Sequence, residues 1–304
     1  ESFAQISRFR VKNLSPMAIL TFVASCPAFF AKRREWPLIN RNEKLLQLNQ
    51  RRRGRRPVFR IFAQKPAIIL PGLGNSSEDY RELQRSLADR EIPSYVLPVS
   101  RVDWLRNAKG LFQRSWWRGK LEPRPILDWY FLRLQQQLED VRDQHNNCDV
   151  NLIGHSAGGW LARVFMGEFT REGVSSLISL GSPHLAPPDG TLDQTRGLLR
   201  YVNTMYPGAY FDDINYICLA GKDTEGKKWG QGTFNEWFAG VGYRQVCGLD
   251  ETWGDFVVPV DSALLEGANN IILEGVFHSP VGASETRPWY GSKSILDTWI
   301  HHLE

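Results

Sequence analysis

Beyond residue 65 the chain alternates short apolar runs with stretches whose apolar residues recur every three or four positions. The first run, Pro66–Leu70, enters a Gly-rich loop, Pro71-Gly72-Leu73-Gly74-Asn75. A helical pattern over 78–88 follows, which Ser76 or Ser77 can cap. Tyr95–Val99 is the next apolar run. After it come a helical pattern over 125–145, a run over 149–153, and a helix over 157–168 with Trp160, Leu161, Val164 and Phe165 on one face. Val174–Gly181, Ile214–Ala220 and Asn270–Val276 read as further strands, and Ser292–Leu303 as a terminal amphipathic helix. Strands alternating with helices predict an α/β fold, with a mostly parallel sheet covered by helices on both faces. Two stretches, 101–124 and 184–213, fit neither pattern beyond a short helical signal around Leu198–Val202. Both follow strands, where active-site loops and lids sit.

One strand-to-helix junction carries chemistry. Gly154-His155-Ser156-Ala157-Gly158 is a G-x-S-x-G. Such a pentapeptide arises by chance in roughly one chain of this length in ten. The apolar run before it and the helical pattern after it supply the context of a sharp turn that projects a serine hydroxyl. That hydroxyl needs a base, and the base needs an orienting acid. Of the histidines, His155 lies inside the turn, and His145, His301 and His302 lie in polar helix-end settings. His184 follows a strand and could line a pocket. His278 comes directly after the last apolar run, at the same sheet edge as Ser156, and is the candidate base. Two carboxylates lie between nucleophile and base, Asp223 just past a strand and Asp255 in a loop, and either gives the order Ser, Asp, His that suits this architecture. The oxyanion of an acyl transfer needs backbone donors. The N–H of Ala157 is one candidate and the N–H of Leu73 the other. The lysine of a phosphate-binding loop is absent.

Composition narrows the picture. The 304 residues, 42% hydrophobic, suit one large domain with an extension. Charge is unevenly spread. Residues 1–65 hold fifteen Lys/Arg and three Glu, a balance of +12, whereas the rest holds 22 basic and 30 acidic residues, a balance of −8. The basic character belongs to the arm, so total charge gives no ground for a nucleic-acid partner. Cys26, Cys148, Cys218 and Cys247 are scattered, without metal-ligand spacing or a disulfide framework. No metal or other cofactor is expected. The arm, 1–65, is read as a transit peptide in front of a catalytic domain over 66–304. Its apolar run Met17–Ala31 is fifteen residues, shorter than the ~20 of a membrane span. Met17-Ala18 resembles the start of a plastid presequence and Ile61-Phe62-Ala63 a stromal processing site, so a plastid (chloroplast) location is expected, with a mature start near Gln64. Another organelle, a basic tail for anionic membranes and a secretory signal are the alternatives.

Residues 66–303 resemble the α/β-hydrolase superfamily. Ile69-Leu70-Pro71-Gly72-Leu73-Gly74, the Gly154–Gly158 pentapeptide, and Gly254-Asp255-Phe256-Val257-Val258-Pro259 with His278 are similar to lipase and GPI inositol-deacylase-like families. Phe256 stands where those families often have glycine, and Pro71 where many lipases have histidine. The resemblance implies a triad of Ser156, Asp255 and His278, with Asp255 preferred to Asp223. With the arm, it implies a plant plastid lipase-like hydrolase of lipid or other carboxylic esters. An acyltransferase and a catalytically silent ligand receptor are the alternatives on this fold. Trp104, Leu111, Phe112, Trp116 and Trp117, interleaved with basic residues in 101–124, are expected to face an anionic membrane or wall an acyl site, with filling of the core under a long loop as the alternative.

Overall fold

The computed structural model describes residues 64–191 and 193–303. The expectations for the leader, its apolar run and its processing site lie outside the described residues. Strands β1 (Ala67–Leu70), β2 (Ser94–Val96), β3 (Val150–His155), β4 (Val174–Leu180), β5 (Asn215–Lys222) and β6 (Asn269–Glu274) form one sheet. Their order is β2-β1-β3-β4-β5-β6, and every neighbouring pair is parallel. A parallel pair needs a crossover over one face, so both faces are covered and the central strands are apolar on both sides. On one face Ile68, Leu70, Leu152, Leu177 and Cys218 pack under α2 (Asp128–Gln144), α3 (Ala157–Glu168) and α4 (Leu198–Met205). On the other, Ile69, Ile153, Ile178, Ile217 and Leu219 pack with α1 (Arg81–Ala88) and the C-terminal turns. A two-residue ribbon, Thr224–Glu225 with Trp253–Gly254, brackets α5 (Phe234–Cys247) in the excursion after β5.

Two expectations need correction. Ser292–Leu303 is not one helix. It forms an α-helical turn at Lys293–Leu296 and a 3-10 turn at Ile300–Leu303. Trp299 forces the break: it is fully buried, and its indole N–H donates to the Tyr290 carbonyl at 2.9 Å. The second correction concerns 101–124, whose first part is helical, with a 3-10 helix over Arg101–Phe112 and an α-helical turn over Arg114–Trp117. Trp104 points inward and donates its indole N–H to the Asn75 carbonyl at 2.9 Å. Trp116 packs against the core with the Arg196 guanidinium 5.4 Å from its ring centre. These two rings are therefore packing groups, while Phe112 and Trp117 stay exposed. The segment also meets the 184–213 stretch, where the Leu121 N–H donates to the Arg196 carbonyl at 2.8 Å.

The junction of β3 and α3 is possible only with glycine. A Cβ on Gly158 would lie 2.3 Å from the Leu70 carbonyl oxygen of β1, and one on Gly154 would lie 2.5 Å from the Gly159 Cα. Both obstacles are backbone and cannot swing aside. Gly158→Ala is expected to cost about 1–3 kcal/mol or more despite alanine's better helix propensity. At about 2–4 °C per kcal/mol for a domain of this size, the melting temperature drops measurably. An unchanged melting curve would contradict this packing.

Candidate active site

The chain leaves β1 toward β2 on one side and β3 toward β4 on the other. A crevice opens at the carboxyl ends of two strands where the order reverses in this way. Leu70 is in register with Gly154, so the loop after β1 and the turn after β3 emerge side by side. Ser156 sits in that turn with φ 52° and ψ −123°, a strained conformation for a residue with a side chain. Its N–H donates to the Leu180 carbonyl at 3.0 Å, which ties the turn to β4. Gly72 backs it closely, since a Cβ there would lie 2.8 Å from the Ser156 Cβ. Among the described residues, none is hydrogen-bonded to the Ser156 hydroxyl.

The loop after β1 rests on three aromatic side chains. Tyr130 donates its hydroxyl to the Pro71 carbonyl at 3.2 Å, the Gly72 N–H donates to the Tyr80 hydroxyl at 3.0 Å, and Trp104 holds the Asn75 carbonyl. Among the described residues, the Leu73 N–H has no acceptor, and neither has the Ala157 N–H at the first turn of α3. Two free amides thus flank Ser156, one of them at a helix N-terminus, where the backbone dipole favours negative charge.

His278 is held at three points. Its Nδ1 lies 2.7 Å from Asp255 Oδ2, its N–H donates to the Asp255 carbonyl at 2.9 Å, and its own carbonyl accepts from His155 Nε2 at 2.9 Å. A carboxylate oxygen accepts, so Nδ1 carries the ring proton and Nε2 keeps its lone pair. The same logic fixes His155, whose Nε2 must donate to a carbonyl. Its Nδ1 then accepts from the Tyr80 hydroxyl at 2.7 Å. A relay therefore runs from the Gly72 amide through Tyr80 and His155 to the His278 backbone.

Asp255 is 1% exposed, yet its oxygens meet four donors. The Val257 and Val258 amides reach Oδ1 at 3.0 and 2.7 Å, and the Tyr290 hydroxyl joins His278 at Oδ2 at 2.7 Å. Burial pushes the Tyr290 phenol well above its ordinary range, so it remains a donor. Gly181, with φ 54°, makes room: a Cβ there would lie 2.5 Å from Asp255 Oδ2. Phe256 takes φ 85°, which accounts for a glycine at this place in similar loops. Here its N–H donates to the Tyr243 hydroxyl at 2.9 Å, and Arg287 lies over its ring and that of Phe277. Asp223, the alternative acid, is placed elsewhere. It accepts from the Thr224 hydroxyl at 2.7 Å and from Arg287 at 3.4 Å.

His184 does not line the crevice. It is fully buried, 2.9 Å from the Ser179 hydroxyl and 3.4 Å from Arg163. The bonds of the Tyr80, Tyr130 and Tyr290 hydroxyls to His155, Pro71 and Asp255 carry no local sequence signal, because these partners lie far away in the chain. Among the described residues, no three His, Cys, Asp or Glu side chains converge to hold a metal ion, and no helix is long and apolar enough to cross a membrane.

A parallel sheet with a strained serine at its switch point and a His–Asp pair on the same edge defines a class of protein. The chain belongs to the alpha/beta hydrolase fold family, whose sequence profile matches residues 65–216, half of its length. In fold it is similar to the mature lipase BlEst2 of Bacillus licheniformis, with a TM-score of 0.51 at 14% identity over 79% of this chain and 92% of that one. It is also similar to the product of gene lin2722 of Listeria innocua (TM-score 0.45, 13% identity, 78% of this chain and 92% of that one). A third is MGS-MChE2, an alpha/beta hydrolase enzyme from a lagoon-sediment metagenome of Mar Chica, Morocco (TM-score 0.43, 14% identity, 79% and 90%). No curated protein matches the chain by sequence.

Burial of two imidazoles has a pH signature. Desolvation holds His155 and His184 well below the usual histidine value, so both are neutral in the folded state. The unfolded chain binds protons on them below about pH 6.5. Their contribution is therefore fully present above that pH and is lost as pH falls. Between pH 7.5 and 5.5 the two together are expected to lower unfolding free energy by about 2–3 kcal/mol. Urea unfolding at both pH values checks this, and equal stabilities would contradict neutral burial.

Proposed function

We propose that the protein is a serine hydrolase that cleaves carboxylic esters, those of lipids in particular, through an acyl-enzyme on Ser156. The observation that carries this reading is the 2.7 Å bond between Asp255 and His278 Nδ1, on the sheet edge that also carries the strained serine. With Nδ1 protonated, Nε2 is the general base. It takes the Ser156 proton as the hydroxyl oxygen attacks the ester carbonyl. The tetrahedral oxyanion accepts from the N–H groups of Leu73 and Ala157. As it collapses, the His278 proton passes to the leaving alkoxide and an alcohol departs. Water then gives a proton to His278 Nε2 and attacks the acyl carbon; as the second tetrahedral intermediate collapses, His278 returns that proton to Ser156 Oγ and the carboxylic acid departs. Among the described residues the Ser156 hydroxyl has no partner, so on this reading its hydrogen bond to His278 Nε2 forms as substrate enters.

Lipid substrate is supported by the rim. Three loops that leave the carboxyl edge each expose a large aliphatic side chain: Leu73 at 54%, Leu185 at 45% and Val257 at 38%. Exposed aliphatics on loops of the edge that carries Ser156 and the buried Asp255–His278 pair suit an acyl chain better than a charged substrate.

Hydrolysis of p-nitrophenyl butyrate tests the assignment. Ser156→Ala should remove turnover while leaving the melting temperature intact; more than a tenth of the wild-type rate in clean protein would contradict the nucleophile. Asp255→Asn should lower kcat by about 10⁴ through the wrong histidine tautomer. Asp223→Asn should change it only a few-fold, because that carboxylate serves Thr224 and Arg287. A reversal of the two would place the acid at Asp223.

A further inference from the structure

With Trp104 and Trp116 turned inward, the outer surface of 101–120 has a composition of its own. Val102, Leu105, Phe112 and Trp117 are 69%, 60%, 92% and 62% exposed. Each is large and apolar, and all come from one short segment. Scattered singly over the protein they would need no explanation, but four within sixteen residues give this one segment an apolar surface. The segment also carries six basic residues and one acid. That acid, Asp103, is taken by Arg133 and Arg106, and Arg101 pairs with Asp79. Among the described residues, Lys109, Arg114, Arg118 and Lys120 have no acidic partner. Cations without an acidic partner are therefore interleaved along the segment with exposed rings and aliphatics, on a body whose remaining charge is net negative.

We infer that the surface of residues 101–120 docks on an anionic lipid bilayer and holds the catalytic crevice against it. Charge complementarity selects this occupant. Rings and aliphatics enter the head-group region, where tryptophan is favoured, and unpaired cations lie along the anionic surface. The aliphatic pair Val102 and Leu105 has no use on a nucleic-acid backbone. Position links the face to the site. Arg101 donates to Asp79 at 2.7 Å and to the Ser76 hydroxyl at 3.0 Å, and Trp104 holds Asn75, so the segment is bolted to the loop that carries Leu73. A protein seated on this face presents that loop to the bilayer, and esters reach Ser156 from the membrane rather than from solution. The inference rests on the hydrolase reading only for that last step.

The test measures partition of the full chain into vesicles, all on a Ser156→Ala background so that binding is read apart from chemistry. Vesicles are phosphatidylcholine with phosphatidylglycerol, or phosphatidylcholine alone. The basic arm contributes equally to every variant. Arg114→Gln with Arg118→Gln should weaken binding to the anionic vesicles about thirtyfold, with little change on phosphatidylcholine. Phe112→Ser with Trp117→Ser should weaken it at least tenfold at an unchanged melting temperature. Because Trp117 donates its indole N–H to the Leu111 carbonyl at 3.0 Å, Phe112→Ser with Leu105→Ser serves as a second apolar variant. With Ser156 restored, the same pairs should slow hydrolysis of ester embedded in vesicles and spare p-nitrophenyl butyrate. Unchanged partition would overturn the inference. So would an equal loss on both substrates, a wild-type dimer that the apolar variants dissociate, or tighter binding to a single-stranded oligonucleotide than to vesicles. If patch variants lose binding while the wild type hydrolyses neither ester, the docking face stands and the hydrolase reading fails.

Discussion

His278 is gripped at its ring, its backbone N–H and its backbone carbonyl, and its holders come from distant parts of the chain. Asp255 takes the ring N–H and the backbone N–H, and His155 takes the backbone carbonyl. A base that relays a proton between a serine and a leaving group cannot drift by much more than half an ångström. A histidine on a loop after an edge strand has no such precision of its own. The loop of 275–278 gains it by being bonded at both backbone groups and at the ring. His155 is the less obvious holder. It stands beside Ser156 in sequence, so the residue that fixes the proposed base moves with the proposed nucleophile. Through Tyr80 the same relay reaches the Gly72 amide, and the loop bearing the Leu73 donor shares its support.

This arrangement demands burial of polar groups that would cost several kcal/mol if left unpaired. Asp255 meets that demand with four donors around a carboxylate that is 1% exposed. Space is the second demand. Gly72, Gly158 and Gly181 sit where a methyl group would strike Ser156, the β1 backbone and Asp255. Phe256 shows the reverse: a side chain is kept at positive φ because Tyr243, Phe277 and Arg287 compensate its strain.

Much of this was legible in the sequence. The pentapeptide around Ser156 carries its own context, a strand followed by a helix, and α3 spans the residues that apolar spacing indicated. The alternation of runs sufficed for a covered parallel sheet because such strands are apolar on both faces. The pairing of His278 with Asp255 rather than Asp223 was not legible from spacing, since both loops leave the same edge; it came from the resemblance of the 254–259 loop. Three things escaped. The reach of Tyr80 to His155, of Tyr130 to Pro71 and of Tyr290 to Asp255 crosses long separations that no local pattern encodes. The terminal helix broke because Trp299 reaches inward to Tyr290. The aromatics of 101–124 looked alike in sequence, and only tertiary contact sorted Trp104 and Trp116 into the core from Phe112 and Trp117 at the surface.

One measurement bears on the whole constellation at once. A crystal structure of the protein after reaction with a dialkyl p-nitrophenyl phosphate would hold a stable analogue of the tetrahedral state. The account predicts phosphorus bonded to Ser156 Oγ, with the phosphoryl oxygen about 2.7–3.1 Å from the Leu73 and Ala157 amides and His278 still bonded to Asp255. Phosphorus on any other side chain, or on Ser156 with its oxygen turned away from both amides, would contradict it.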